Sequence, residues 1–341
     1  MSRTLLLSCS LVALSACATA PEILPFEVMP VPAAVETDPM VGKGDRADDP
    51  AIWVHPEDAS RSLVLGTNKD EGLHVYTLDG SEKQFLDVGR LNNIDLRGDI
   101  AVGSNDEVSG LSWFAIDATS TSLTHLGDTA VTQEEPYGVC AGIVDEVYYG
   151  VPTYKDGTVE FWAATSLEAG NVAANLERTL KFSGQLEGCV FHEPSQRLFI
   201  GEEEFGIWVI DLSKPDAEPE IYDTIASANG LVMDVEGLSI WDKGEGDAYL
   251  VASAQAADRF VVYDLGENVP VGIFTVAASL DGLIDKVTHT DGLDINAAAL
   301  PGYPEGLVVV QDDGNPRSGV DQNFKLVGWA EVSQALGLQS D

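Results

Sequence analysis

From Asp45 onward, apolar runs with a period of two alternate with turns built from Gly, Asp and Asn. Helical periodicity is confined to the tail, 330–338. One polar turn keeps returning ahead of an apolar strand, and its fullest form is Asp234-Val-Glu236-Gly237-Leu-Ser-Ile-Trp241. The others are Asp48-Asp49-Pro50-Ala-Ile, Asn92-Asn93-Ile-Asp95, Pro136-Tyr137-Gly138-Val, Leu186-Glu187-Gly188-Cys-Val and Thr290-Asp291-Gly292-Leu-Asp294. Aligned at Pro50, Ile94, Gly138, Gly188, Gly237 and Gly292, the turns recur every 44–55 residues, about the length of a propeller blade. Each repeat holds two further predicted strands, and five of the six add a weaker fourth. The sixth runs out after its third, at 324–329. The extended segment at 26–37 is the natural donor of the missing outer strand, because a propeller must close without bare edges. The pattern predicts an all-β chain folded as a six-bladed β-propeller closed by an N-terminal strand. Expected limits are 18–40 for a tether and the ring-closing strand, 41–330 for the propeller, and 331–341 for a short C-terminal helix or tail. A pair of β-sandwiches is the competing architecture, but it would not need six equivalent repeats.

In an antiparallel blade, the turn before the first strand and the loop after the second lie at the same end. First-strand turns bring Asp48, Asp49, Asn92, Asn93, Asp95, Glu135, Tyr137, Glu187, Asp234, Glu236 and Asp291 there. Second-strand loops bring Lys69, Asp70, Asp106, Lys155, Asp156, Glu202, Glu203, Glu204, Gln255, Asp312 and Asp313. So many neighbouring carboxylates repel one another unless a cation compensates them. Oxygen ligands without clustered His or Cys select hard cations, and flexible, high coordination favours Ca²⁺. Several Ca²⁺ ions at one mouth are therefore expected. The competing reading, local capping of turns, suits Asp79, Asp117 and Asp211.

Charge sharpens the picture. The chain has 18 basic against 56 acidic residues, a formal charge of −38, which repels nucleic acid and anionic membranes and attracts cations. Its 45% hydrophobic content argues for a packed core rather than disorder. Against this background Lys69 and Lys155 stand out in second-strand loops, suited to gripping an anion such as phosphate; pairing with a neighbouring acid is the alternative. None of the five histidines sits in an Arg-His-Gly context, neither Cys140 nor Cys189 has an Arg six positions on, and no Gly-x-Ser-x-Gly elbow occurs. An enzyme of this composition would use metal-activated water as nucleophile.

Residues 1–17 read as a lipoprotein-type signal peptide: Arg3, an apolar run from Leu5 to Leu14, then Leu14-Ser15-Ala16-Cys17. Cys17 would carry the lipid, and the mature protein would be exported, either lipid-anchored at the bacterial cell envelope or secreted. An ordinary signal peptide cut near Ala18 or Ala20 is the alternative. Export permits disulfides, and Cys140 and Cys189 follow the recurring turn in consecutive repeats. They could pair or remain buried free thiols.

The strings Asp48-Asp49-Pro-Ala-Ile-Trp-Val-His-Pro56, Thr67-Asn-Lys69, Leu91-Asn-Asn-Ile-Asp-Leu-Arg97, Asp234-Val-Glu-Gly-Leu238, Thr290-Asp-Gly-Leu-Asp294 and Gln322-Asn-Phe-Lys325 together resemble the β-propeller phytases. The resemblance runs from about Glu36 to Trp329. It implies a six-bladed, calcium-dependent phosphatase acting on myo-inositol hexakisphosphate (phytate) and its calcium salts. It also implies that Asp48, Glu187, Asp234, Glu236 and Asp291 are calcium ligands or active-site acids, with Asp49, Asp285 and Glu203 further acids of the set. Lys69, Tyr137 and Lys155 match phosphate-binding groups, and Gln255 a polar residue lining the site. One departure is Ser104-Asn105-Asp106, where the family usually has a basic residue that holds phosphate.

The resulting expectation is a 3-phytase-like phosphomonoester hydrolase. Glu187, Asp234, Glu236 and Asp291 would be catalytic, Lys69, Tyr137, Lys155 and Gln255 would bind substrate, and the acids from Asp48 to Asp291 would hold Ca²⁺. A monomer is expected, touching membrane only through the lipid. The alternatives are another calcium-dependent propeller hydrolase, such as a lactonase, or a non-catalytic surface propeller that uses calcium for stability.

Overall fold

The computed structural model describes residues 24–40, 44–244, 246–315 and 322–338. The signal segment, Cys17 and the start of the tether lie outside the described residues. Six sheets form six blades, whose first strands are Ala47–Trp53, Leu91–Arg97, Val139–Val144, Leu186–His192, Leu238–Asp242 and Leu293–Asn296. Each first strand packs against that of the next blade, and the sixth packs against the first. The chain is a closed six-bladed propeller.

The apolar pattern follows from that closure. Every blade is covered on both faces, so successive residues of one strand enter different cores. In the second strand of blade 1, Leu63–Asn68, Leu63 and Leu65 face blade 2, while Val64 packs with Leu307 and Val309 of blade 6. Six hydrophobic clusters result, one at each blade junction. Burying both faces is why the strands read as nearly continuous apolar runs rather than a strict alternation with polar residues.

The expected ring-closing strand is two strands. The first, β1 (Val28–Pro32), adds parallel to Val269–Ala277 as a fifth strand on blade 5. The second, β2 (Val35–Glu36), pairs antiparallel with Asn323–Gly328 and completes blade 6. Pro30 and Pro32 lack an amide hydrogen, which an outer-edge strand tolerates. The strap thus holds the last two blades together rather than filling one gap. The third strand of blade 6 ends at Gly328, one residue earlier than its pattern suggested. Trp329 instead opens a helix, α1 (Trp329–Leu336), and stacks on Trp241 with ring centroids 5.1 Å apart.

Of the two readings open for the cysteines, the disulfide is the one formed. Cys140 and Cys189 are joined, S–S 2.02 Å, and tie the first strands of blades 3 and 4 just beyond their polar turns.

Candidate active site

The polar turns interlock around the ring through their backbones. Gly188 N–H donates to the Glu236 carbonyl at 2.8 Å, and Gly292 N–H to the Asp48 carbonyl at 3.1 Å. A Cβ at Gly188 would run into that Glu236 oxygen, and one at Gly292 into Asp49. Glycine is required there because the next turn comes too close for any side chain. Hydroxyls near the ends of second strands repeat the connection. Ser104 Oγ donates to the Tyr137 carbonyl at 2.7 Å, Thr153 Oγ1 to that of Glu187 at 2.8 Å, and Ser253 Oγ to that of Asp291 at 3.2 Å. Asp48, Tyr137, Glu187, Glu236 and Asp291 are thereby each tied to a neighbouring blade.

This circle gathers carboxylates that local sequence keeps far apart. Glu187, Glu203 and Glu236 each offer an oxygen such that all three lie within 4.8 Å of one another. Asp48, Glu187, Glu203, Glu236 and Asp291 are all buried. Glu187 Oε2, Glu203 Oε1, Glu236 Oε2 and Asp48 Oδ2 accept no hydrogen bond from the protein. Buried carboxylate oxygens without partners are costly unless a cation completes them, and these form an all-oxygen set of the kind Ca²⁺ selects. The residues fit the metal that the sequence led us to expect.

The electrostatics agree. Burial, then repulsion from Glu187, raises Glu236 well above the ordinary carboxylate range. The same causes push Glu203 up to about 7. Burial raises Asp291 to about 7 despite the opposing pull of Lys69. Asp234 is only half-buried but close enough to Glu203 to disfavour its charged form.

Lys69 faces this cluster. Its Nζ is 2.9 Å from Asp45, 3.0 Å from Asp48 Oδ1 and 3.4 Å from Asp291 Oδ2. Burial works against its charge, but Asp48, Asp291, Glu187 and Asp45 more than reverse that, so it stays protonated. Gln255 Nε2 donates to Asp291 Oδ1. Tyr137 is raised by burial, then by Glu187, Asp48 and Glu236, so its phenol keeps its proton beside the acids. The Lys155 ammonium sits 4.0 Å above the Tyr137 ring, a cation–π contact that holds an otherwise exposed lysine over the site.

Two expected metal ligands are engaged elsewhere. Asp49 Oδ2 accepts from the Ile94 amide of the next blade at 3.0 Å. Asp95 does the same for Ala141 at 2.8 Å and Asp294 for Ile52 at 2.7 Å, so these three line the central channel as inter-blade fasteners. Asp285 lies 3.0 Å from the Lys325 ammonium, which is fully buried and also binds Asp312. Arg97 stays in its strand, paired with Asp95 and Glu193.

Asp106, the departure from the family string, borders a cavity of about 270 Å³ together with Lys69, Asn92, Tyr137 and Lys155. Arg90, which the sequence did not single out, borders it too. Also missed was Gln311, whose side chain accepts from Asp291 N–H at 2.9 Å and donates to the Ala47 carbonyl at 3.1 Å. It joins the turns of blades 6 and 1, and nothing local distinguishes it from any other polar strand residue.

The family model described as Phytase matches residues 2–341. The chain is 34% identical over 339 residues to the 3-phytase of Bacillus subtilis (strain 168), covering 91% of this chain and 86% of that protein. Among solved structures, one chain of the nidogen/laminin complex superposes with a TM-score of 0.48 at 12% identity, over 67% of this chain and 80% of that one. With a six-bladed ring, one mouth crowded with buried acids, and a match along nearly its whole length, this chain belongs to the phytase family and is a phytase-like hydrolase.

Proposed function

We propose that the chain is a calcium-dependent phosphomonoester hydrolase whose substrate is phytate or its calcium salt. The observation that carries this reading is the meeting of buried carboxylates at Glu187, Glu203 and Glu236, each with one oxygen lacking a partner, with the Lys69 ammonium at one mouth. Glu187, Glu203 and Glu236 would hold the metal, with Asp48, Asp234 and Asp291 around them. Bound Ca²⁺ would screen the substrate's charge, polarise the scissile phosphoryl group and lower the pKa of water.

The chain's own groups do the rest. Lys69 exchanges part of its contact with Asp48 and Asp291 for a phosphate oxygen, as a compact charge carrying three donors. Tyr137, protonated, donates a hydrogen bond to the same anion, and Lys155 meets the neighbouring phosphate from above the ring. Gln255 orients Asp291. No side chain in the site is an activated nucleophile, so no covalent phosphoenzyme forms. Export, with a lipid on Cys17 at the bacterial cell envelope, belongs to the same proposal and suits a disulfide-bonded chain.

The test is release of inorganic phosphate from phytate and from a simple monoester, with Ca²⁺ and with chelator. Calcium-dependent release supports the proposal. Release that persists in chelator removes the metal from it, and lactone turnover without phosphate release points to a different hydrolase. Ligand binding with no turnover leaves a binding propeller.

A further inference from the structure

Blades 1 and 2 carry the same local device with the sign of the loop charge reversed. In blade 1 the second strand ends Thr67-Asn68 and Lys69 follows it, and in blade 2 it ends Ser104-Asn105 and Asp106 follows. Asn68 Oδ1 accepts from Asp70 N–H at 3.0 Å, and Asn105 Oδ1 from Glu107 N–H at 2.9 Å. Lys69 N–H donates to the Arg46 carbonyl at 2.8 Å, and Asp106 N–H to the Arg90 carbonyl at 2.9 Å. Lys69 and Asp106 are therefore equivalent positions, as are Arg46 and Arg90. In blade 1 the loop cation faces the mouth while Arg46 turns to Asp70 at 3.1 Å and Glu71 at 3.5 Å. In blade 2 the loop residue is an acid, and Arg90 lies across it with Nη2 at 2.8 Å from Asp106 Oδ2.

Asp106 cannot swing away, since its Oδ1 is held at 3.0 Å by Asn92 Nδ2, itself bonded to the Pro136 carbonyl. The contact engages one terminal nitrogen of a guanidinium that has five N–H donors. Arg90, Lys69 and Lys155 border one cavity of about 270 Å³. That is below the roughly 300–1,000 Å³ of sites that enclose a whole small ligand, and suits one substituent of a larger one. The carboxylates there are Asp45, Asp70, Asp106 and Glu135, of which Lys69, Arg46 and Arg90 neutralise the first three.

We propose that Arg90, aimed by Asp106, is the anchor for a second phosphate of a multiply phosphorylated substrate, supplying from the turn before the first strand the cation that position 106 lacks. The proposal rests on the phytate reading. It makes Arg90 a specificity-determining residue: a substrate with one phosphate would fill the metal site alone and never reach it.

The experiment compares wild type with Arg90→Gln and Arg90→Lys in Ca²⁺, reading kcat and KM for phytate and for a simple phosphomonoester, and phytate affinity by calorimetry. For Arg90→Gln, KM and Kd for phytate rise about tenfold or more, the loss expected for a charged hydrogen bond. Phytate kcat and monoester turnover do not change, and Arg90→Lys falls in between. Unchanged phytate KM and Kd overturn the proposal. Equal losses on both substrates overturn it as well, because a purely structural ion pair behaves that way. If wild type releases no phosphate from phytate, the hydrolase reading fails by itself, and a calorimetric loss in Arg90→Gln still upholds the anchor.

Discussion

Lys69 and Asp291 stand 222 positions apart in the chain, yet Lys69 Nζ lies 3.4 Å from Asp291 Oδ2. Blade 1 supplies the cation and blade 6 the acid, so the site exists only in the closed ring. Removing one partner of such a buried set leaves the other charges uncompensated, at roughly 3–5 kcal/mol. Lys69→Gln should cost about that in chelated protein, by urea denaturation, and less in Ca²⁺. Phosphate release from phytate should fall by more than about tenfold, since a charged phosphate contact goes with it.

Calcium should act as a stabilising ligand. At a concentration 100-fold above its dissociation constant, a ligand that binds only the folded state adds about 2.7 kcal/mol. Chelator should therefore lower the melting temperature and Ca²⁺ restore it. Glu236→Gln, with one carboxylate charge removed from the cluster, should shrink that shift and reduce phosphate release about 100-fold. An unaltered calcium shift would remove Glu236 from the metal set.

Asp294 should impose a pH dependence away from the mouth. Burial, then repulsion from Asp95, raises it to about 7, against an unfolded value near 3.9. The folded state thus holds the proton more tightly. Its stabilising effect is complete below the unfolded pKa and is lost as pH rises through about 7. Stability of calcium-free protein should fall between about pH 4 and 8, with roughly 2–4 kcal/mol from this group. Asp294→Asn should flatten the profile, and denaturant midpoints across that range provide the check.

The Cys140–Cys189 disulfide closes a loop with a sequence separation of 49. Loop-closure entropy gives it about 4 kcal/mol. The double variant Cys140→Ala, Cys189→Ala should show that loss in guanidinium unfolding. It should also lower phosphate release, because the bond ties together the strands that follow Tyr137 and Glu187.

Deleting 24–37 should remove β1 and β2 together, exposing the outer edges of blades 5 and 6. Val31 and Ala33 leave the core, and Glu36 no longer stands 4.0 Å from the buried Lys325. A melting temperature equal to that of the intact protein would show that the strap is dispensable.

The repeat, the fold and the mouth were legible because each blade is buried on both faces and each opens with the same turn. A period near 50 residues survives in the sequence when every unit must meet its neighbours in the same way. The individual duties of the acids were less legible. Asp48 and Asp49 look interchangeable on paper. The strand pairing is irregular between Ala47 and Pro50, though, and there Asp48 joins Lys69 while Asp49 bonds to the Ile94 amide. Asp285 carries no local sign that Lys325, 40 positions later, holds it.

By itself the sequence determined the all-β repeat and the end of the ring where acids gather, and it led to the proposal of a hard cation and an anionic substrate there. Those depend on periodicity and composition, which are local and additive along the chain. Only the tertiary structure decided which carboxylates keep free oxygens, that the strap serves two blades, that the cysteines are joined, and that Arg90 lies across Asp106. Those depend on distances between residues of different blades, which exist only once the ring has closed.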